Sequence, residues 1–133
     1  MALDETIFLT GFPGFIAGRL VERLAREGAR FLLLVQPAFA GRARQEIAQL
    51  SEKTGATAER FRVLEGDITR EDLGLSAPDL ERARGEATVL FHLAAVYDLA
   101  VAREVGMRVN VEGTRNVNRF ALALPRLRRY HYV

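Results

Sequence analysis

Short apolar runs alternate with segments of helical periodicity along the chain, and this alternation narrows the folds open to it more than any other feature. Thr6-Ile7-Phe8-Leu9-Thr10 reads as a strand ending at Gly11. The next stretch sets Phe15, Ile16, Leu20, Val21 and Leu24 at helical spacing with Arg19, Glu22, Arg23 and Arg26 opposite, which predicts an amphipathic helix stopped near Gly28. Phe31-Leu32-Leu33-Leu34-Val35 is apolar on both faces, as a strand covered by helices on each side must be, and Pro37 closes it. A helix is expected from Arg42 to about Lys53 with Ile47 and Leu50 inward, then a third strand over Phe61-Arg62-Val63-Leu64 that runs into Gly66-Asp67. Leu75 to Arg84 reads as a short helix with Ser76 as cap and Pro78 in its first turn. Thr88 to Leu93 gives a fourth strand, and a long helix is expected from roughly Leu99 to Leu124 with Val105, Val109, Val117 and Phe120 buried. Tyr130-His131-Tyr132-Val133 reads as a fifth strand.

Strands that alternate with helices require right-handed crossovers and a parallel sheet. The expected fold is therefore α/β, a doubly wound parallel sheet in the order 3-2-1-4-5, with ligands at the strands' carboxyl ends where the order reverses between strands one and four. Its 133 residues fit one domain. The chain has no cysteine, which excludes thiol chemistry and a disulfide frame and suits a reducing, cytoplasmic setting. The net charge of +2 comes from 19 basic residues of which Lys53 is the sole lysine. The arginines are interleaved with acids, as on solvated helix faces, and form no basic stripe with interleaved aromatics, so nucleic-acid binding is not expected. Met1 to Glu5 has no basic region, and Gly11 and Pro13 cut the apolar run that follows, so neither a signal peptide nor membrane insertion is expected. Neither His92 nor His131 has a partner at metal-ligand spacing, and no metal is expected; His92, inside an apolar strand, reads as a satisfied core histidine.

The strongest chemical signal is Thr10-Gly11-Phe12-Pro13-Gly14-Phe15-Ile16-Ala17, where the first strand turns into the first helix. A dinucleotide's pyrophosphate needs a tight turn, a bare backbone and a helix N-terminus whose free N–H groups and dipole meet its charge. Gly11 and Gly14 meet those needs, and small Ala17, with Gly18 beside it, lets helix and strand pack closely. Further on stand Glu65-Gly66-Asp67-Ile68 after strand three, Phe91-His92-Leu93-Ala94-Ala95 after strand four, and Asn110-Val111-Glu112-Gly113-Thr114.

Through these four motifs in order, the chain resembles an extended short-chain dehydrogenase/reductase with a Rossmann dinucleotide-binding domain. Gly66-Asp67-Ile68-Thr69 followed by Leu73-Gly74-Leu75-Ser76 is similar to the male-sterility or fatty acyl-CoA reductase branch, which includes thioester-reductase domains. The resemblance implies that Thr10, Gly11, Pro13, Gly14, Phe15 and Ile16 surround the pyrophosphate, that Asp67 and Ile68 hold the adenine, and that Leu93, Ala94 and Ala95 line the cofactor's ribose and nicotinamide end. Asn110 corresponds to the asparagine that supports catalysis in many members. At the end of strand two Gln36 stands where NAD enzymes place an acid, with Arg42 and Arg44 close behind, so NADP(H) is favoured over NAD(H) and Arg42 is the leading ligand for the 2′-phosphate.

The implied reaction is hydride transfer to an acyl thioester or aldehyde, with a tyrosine as general acid or base and a lysine that lowers its pKa. That pair should stand as Tyr-x-x-x-Lys, and none of Tyr97, Tyr130 or Tyr132 has a lysine four positions on. Residues 1–133 therefore read as the N-terminal part of one NAD(P)-binding Rossmann domain, truncated after its fifth strand, with the catalytic and substrate-binding parts absent; by itself this chain is expected to be inactive. Two other readings share the motifs: an NAD-dependent nucleotide-sugar epimerase or dehydratase, and a non-catalytic dinucleotide-binding sensor or scaffold. The resemblance also implies homodimerisation through the long helix near 99–124.

Overall fold

The computed structural model describes residues 4–94 and 103–133. Five strands, β1 (Thr6–Thr10), β2 (Arg30–Val35), β3 (Phe61–Glu65), β4 (Val89–His92) and β5 (Arg129–Tyr132), form one sheet in the order β3-β2-β1-β4-β5. Each neighbouring pair is parallel, with Phe8 beside Leu32 on one side and Leu90 on the other. This is the expected doubly wound, Rossmann-like order, and it puts the reversal point between β1 and β4.

Alternation along the strands feeds two cores. Ile7 and Leu9 of β1, with Phe31, Leu33 and Val35 of β2, pack under Ala17, Val21 and Ala25 of α1 (Phe15–Arg26) and Ala43, Ile47 and Leu50 of α2 (Ala40–Thr54). Phe8, Leu32, Leu34, Leu64 and Leu90 point the other way, against Ala83 of α3 (Ala77–Glu86) and Val117, Phe120 and Ala121 of a later helix. Phe8 and Phe120 meet with ring centroids 4.8 Å apart. Each buried leucine or phenylalanine contributes roughly 1.5–3 kcal/mol. The cap on α3 is the expected one, with Asp79 N–H donating to Ser76 Oγ at 3.3 Å.

Two expectations need correction. The first concerns α1, where Phe15 and Ile16 were expected on the inward face. They are 80% and 61% exposed, because the face that meets the sheet is built from Ala17, Gly18, Val21 and Ala25. The Arg19 guanidinium lies over the Phe15 ring, 5.7 Å from its centroid. The second concerns the long helix. Its described part is α4 (Arg103–Gly106), a π-helical stretch (Met107–Glu112) and α5 (Gly113–Leu122) in succession; residues 99–102 lie outside the description. Gly113 N–H bonds back to Arg108 O, five residues earlier. This wider winding shifts the angular phase of the upstream residues relative to α5. Val105 is accordingly exposed and Val109 half-buried, whereas Val117 and Phe120 are in the core as expected.

Candidate functional site

The turn after β1 is tight enough to require its glycines. Gly11 has φ +96°, and a Cβ there would lie 2.9 Å from the Leu93 carbonyl carbon and 3.0 Å from Ala94 N. A Cβ on Gly14 would lie 2.6 Å from Gly11 O. Gly14 precedes α1 in extended conformation, no side chain caps it, and no acidic residue occupies the first turn. The first helical bond runs from Gly18 N–H to Gly14 O at 2.8 Å. The first-turn N–H groups and the positive end of the helix dipole thus remain available to an anion.

Beneath this turn, one hydroxyl joins three elements. Thr10 Oγ1 accepts from Leu93 N–H at 3.0 Å and from Ala94 N–H at 3.1 Å, and it lies 2.7 Å from His92 Nδ1. Two amide donors fill the hydroxyl's lone pairs, so its single proton goes to Nδ1. Nδ1 is then an acceptor, the ring proton resides on Nε2, and Nε2–H donates to Thr114 Oγ1 of α5 at 3.0 Å. His92 is fully buried and satisfied at both nitrogens, as expected for a core histidine.

Burial holds the His92 pKa below the ordinary histidine value, so the fold favours the neutral ring. Above about pH 6.5 neither the folded nor the unfolded chain protonates this residue, and its contribution to stability is fully present. As the pH falls below that point the unfolded chain takes up a proton that the folded chain refuses, and stability declines toward the folded-state pKa. Urea midpoints measured between about pH 5 and 7.5 should fall on the acid side in the wild-type chain, and His92→Gln should flatten that part of the slope. An unchanged slope in the variant would assign the acid sensitivity to another group.

A cleft of about 240 Å³ opens at the reversal point, lined by Thr10, Gly11, Phe12, Pro13, Leu34, Gln36, Phe39, Gly66, Asp67, Ile68, Thr69, Ala94 and Val109. It brings together the turn after β1, the end of β2, the loop after β3 and the end of β4. Of the residues singled out from sequence, Thr10, Gly11, Pro13, Gln36, Asp67, Ile68 and Ala94 face it. Gly14, Phe15 and Arg42 line a neighbouring groove of about 810 Å³ between α1 and α2, which also carries Arg19, Arg23, Arg26 and Lys53 together with the acids Glu22 and Glu46. Arg44 is directed elsewhere, its guanidinium 3.9 Å from a Glu65 carboxylate oxygen. Ile16 is exposed, Leu93 is half-buried against the core, and Ala95 lies outside the described residues. Asn110 is exposed within the π-helical stretch.

Periodicity and motif matching missed Phe39, which is 45% exposed at the cleft's β2 side, and Thr114 and Asn116 of α5. Thr114 belongs to the Asn-Val-Glu-Gly-Thr motif, but its partner His92 is 22 residues away, and no local signal announces the pairing. Among the described residues no group of three His, Asp or Glu side chains converges in the manner of a metal site, and no helix is long and apolar enough to cross a membrane.

Comparison with known proteins gives a consistent answer. Residues 9–133 match the model of the family described as Male sterility protein. Fatty acyl-CoA reductase 1 of Arabidopsis thaliana is 28% identical over 138 residues, covering 89% of this chain and 28% of that protein. Among solved structures, the terminal R domain from the myxalamid PKS-NRPS biosynthetic pathway superposes with a TM-score of 0.75 at 30% identity, over 99% of this chain and 35% of that one. The reductase (R) domain of a non-ribosomal peptide synthetase from Mycobacterium tuberculosis gives a TM-score of 0.75 at 26% identity, over 96% and 32% of the two chains. The chain therefore spans about a third or less of the length of each of these proteins.

Proposed function

From the premise that this chain belongs to the Male sterility protein family, we propose that it forms the NADP(H)-binding part of a reductase acting on an acyl thioester or aldehyde. The observation that carries the reading is that the glycine turn leading into an uncapped helix N-terminus and Asp67, in the loop after β3, line the same cleft. The turn fits a diphosphate, since a Cβ at Gly11 or Gly14 would collide with backbone and the amide groups of α1 are left free. Asp67 fits an adenine amine: its Oδ1 accepts from Thr69 N–H and Oγ1, at 2.9 and 2.7 Å, which leaves Oδ2 to accept from a ligand. Phe39 and Ile68 provide apolar walls for the base.

When bound, the reduced nicotinamide supplies a hydride. The chain's own share is to hold the dinucleotide, with Leu93 and Ala94 beside its nicotinamide half and Asn110 as the catalytic-type position. The Tyr-x-x-x-Lys pair that would move the proton is not within these 133 residues, so this chain alone carries out no turnover. Arg42, in the groove beside Gly14, is assigned to the 2′-phosphate, and Gln36 places no acid against it. Calorimetric titration tests the assignment. NADPH should bind more tightly than NADH, and Arg42→Ala should weaken NADPH by about tenfold or more while leaving NADH unchanged, as loss of one charge-assisted contact predicts. Tighter NADH binding, or an indifferent Arg42→Ala, would remove the NADP assignment.

A further inference from the structure

After Gly66, whose N–H makes a bond to Val35 O at 3.0 Å, the chain leaves the sheet, and Asp67 and Ile68 must be held by other means. Asp67 N–H donates to Leu73 O at 2.7 Å. Leu73 itself lies in a left-handed turn, with φ of +50° at Asp72, +56° at Leu73 and +62° at Gly74, and its side chain is fully buried. Ile68, 5% exposed, rests on α5 at Gly113, where a Cβ would come within 2.6 Å of Ile68 Cδ1.

The remaining restraint is more specific. Asn116 of α5 donates from Nδ2 to Ile68 O at 2.8 Å. That oxygen belongs to the same peptide unit as Thr69 N–H, which donates to Asp67 Oδ1. The two groups of a trans peptide point in opposite directions in one plane. Fixing the carbonyl toward α5 therefore aims the N–H at the carboxylate. A side chain 48 residues away in sequence thus sets, through one rigid plane, the orientation of the carboxylate that faces the cleft.

We propose that Asn116 is a positioning residue for base recognition: through the Ile68–Thr69 peptide it holds Asp67 so that Oδ2 accepts from the exocyclic amine of an adenine base. This rests on the reading that the Asp67 side of the cleft takes the adenine half of the dinucleotide. The role belongs to orientation and not to contact, because Asn116 reaches the carboxylate only through the peptide plane.

The test compares NADPH with its hypoxanthine analogue, in which a carbonyl replaces the amine, by calorimetry on the 133-residue chain. Wild type should prefer adenine by about tenfold, the worth of one hydrogen bond to a charged acceptor. Asn116→Asp, which sets an oxygen against Ile68 O, and Asn116→Ser, which is too short to reach it, should both bring the two affinities close together, mainly by weakening NADPH. Asn116→Gln, which keeps the amide, should restore part of the preference. Two variants of different polarity guard against a folding defect in either, and circular dichroism checks each. If wild type discriminates and both variants keep its ratio, or lose both ligands in equal measure, the positioning role is overturned while the adenine assignment stands. If wild type does not distinguish the two bases, the assignment of adenine to Asp67 fails and the role of Asn116 falls with it.

Discussion

Gly11→Ala is expected to eliminate measurable dinucleotide binding and to destabilise the chain. A side chain at φ +96° costs roughly 1–2 kcal/mol, and forcing a Cβ against the backbone of Leu93 and Ala94 adds roughly 1–3 kcal/mol, because neither neighbour can swing aside. Relief requires β1 and β4 to separate at their carboxyl ends, which opens the turn that offers amides to the diphosphate. Gly55→Ala is the matched control. It has φ +75° at the end of α2 but nothing within 4 Å of the added carbon, so it should show the conformational cost without loss of binding. Denaturant midpoints and calorimetry on the two variants separate strain from site geometry. Equal binding losses would dissociate the turn from the ligand.

Thr10→Val should produce the largest loss of stability without any change in shape. The valine fills the same volume but strips the acceptor from Ala94 N–H and the donor from His92 Nδ1, in a place where Thr10 and His92 are fully buried. Leu93 N–H is better off, since it keeps its 3.3 Å bond to Thr10 O. Each buried group left unpaired costs about 1–3 kcal/mol, for a total of roughly 2–6 kcal/mol. Thr10→Ser retains the hydroxyl and should lose far less. A serine variant as unstable as the valine one would show that the methyl group, and not the hydrogen bonds, holds this corner.

The parts of this molecule that are legible in its sequence are those written in local period and local chemistry. Phe31 to Val35 had to be a strand covered on both faces, and the structure sends Phe31, Leu33 and Val35 to one core and Leu32 and Leu34 to the other. The glycines after Thr10 announced a turn at a helix mouth because only an unsubstituted backbone fits there. What escaped was set by distance. The bond from Asn116 to Ile68 O and the chain from Thr10 through His92 to Thr114 join residues 22 to 82 positions apart. No period encodes such pairings. The exposure of Phe15 and Ile16 escaped for a different reason: apolar spacing says which residues share a face, but not that Ala17, Gly18 and Ala25 would join Val21 on the inward one. The π-helical stretch was hidden too, since a 3.6-residue template assigns Val105 to the stripe that one wider turn moves it off.

The hydroxyl that ties the end of β1 to β4, and through the imidazole to α5, has a thermodynamic corollary. That wall of the cleft is already fixed before any guest arrives, so docking against it surrenders little conformational freedom. The opposite wall differs: Gln36 to Phe39 is exposed and tied within itself, through Phe39 N–H to Gln36 O at 2.9 Å. The entropic toll of association thus falls on the β2 side, and there a proline that stiffens the free chain would tighten binding without adding a single contact.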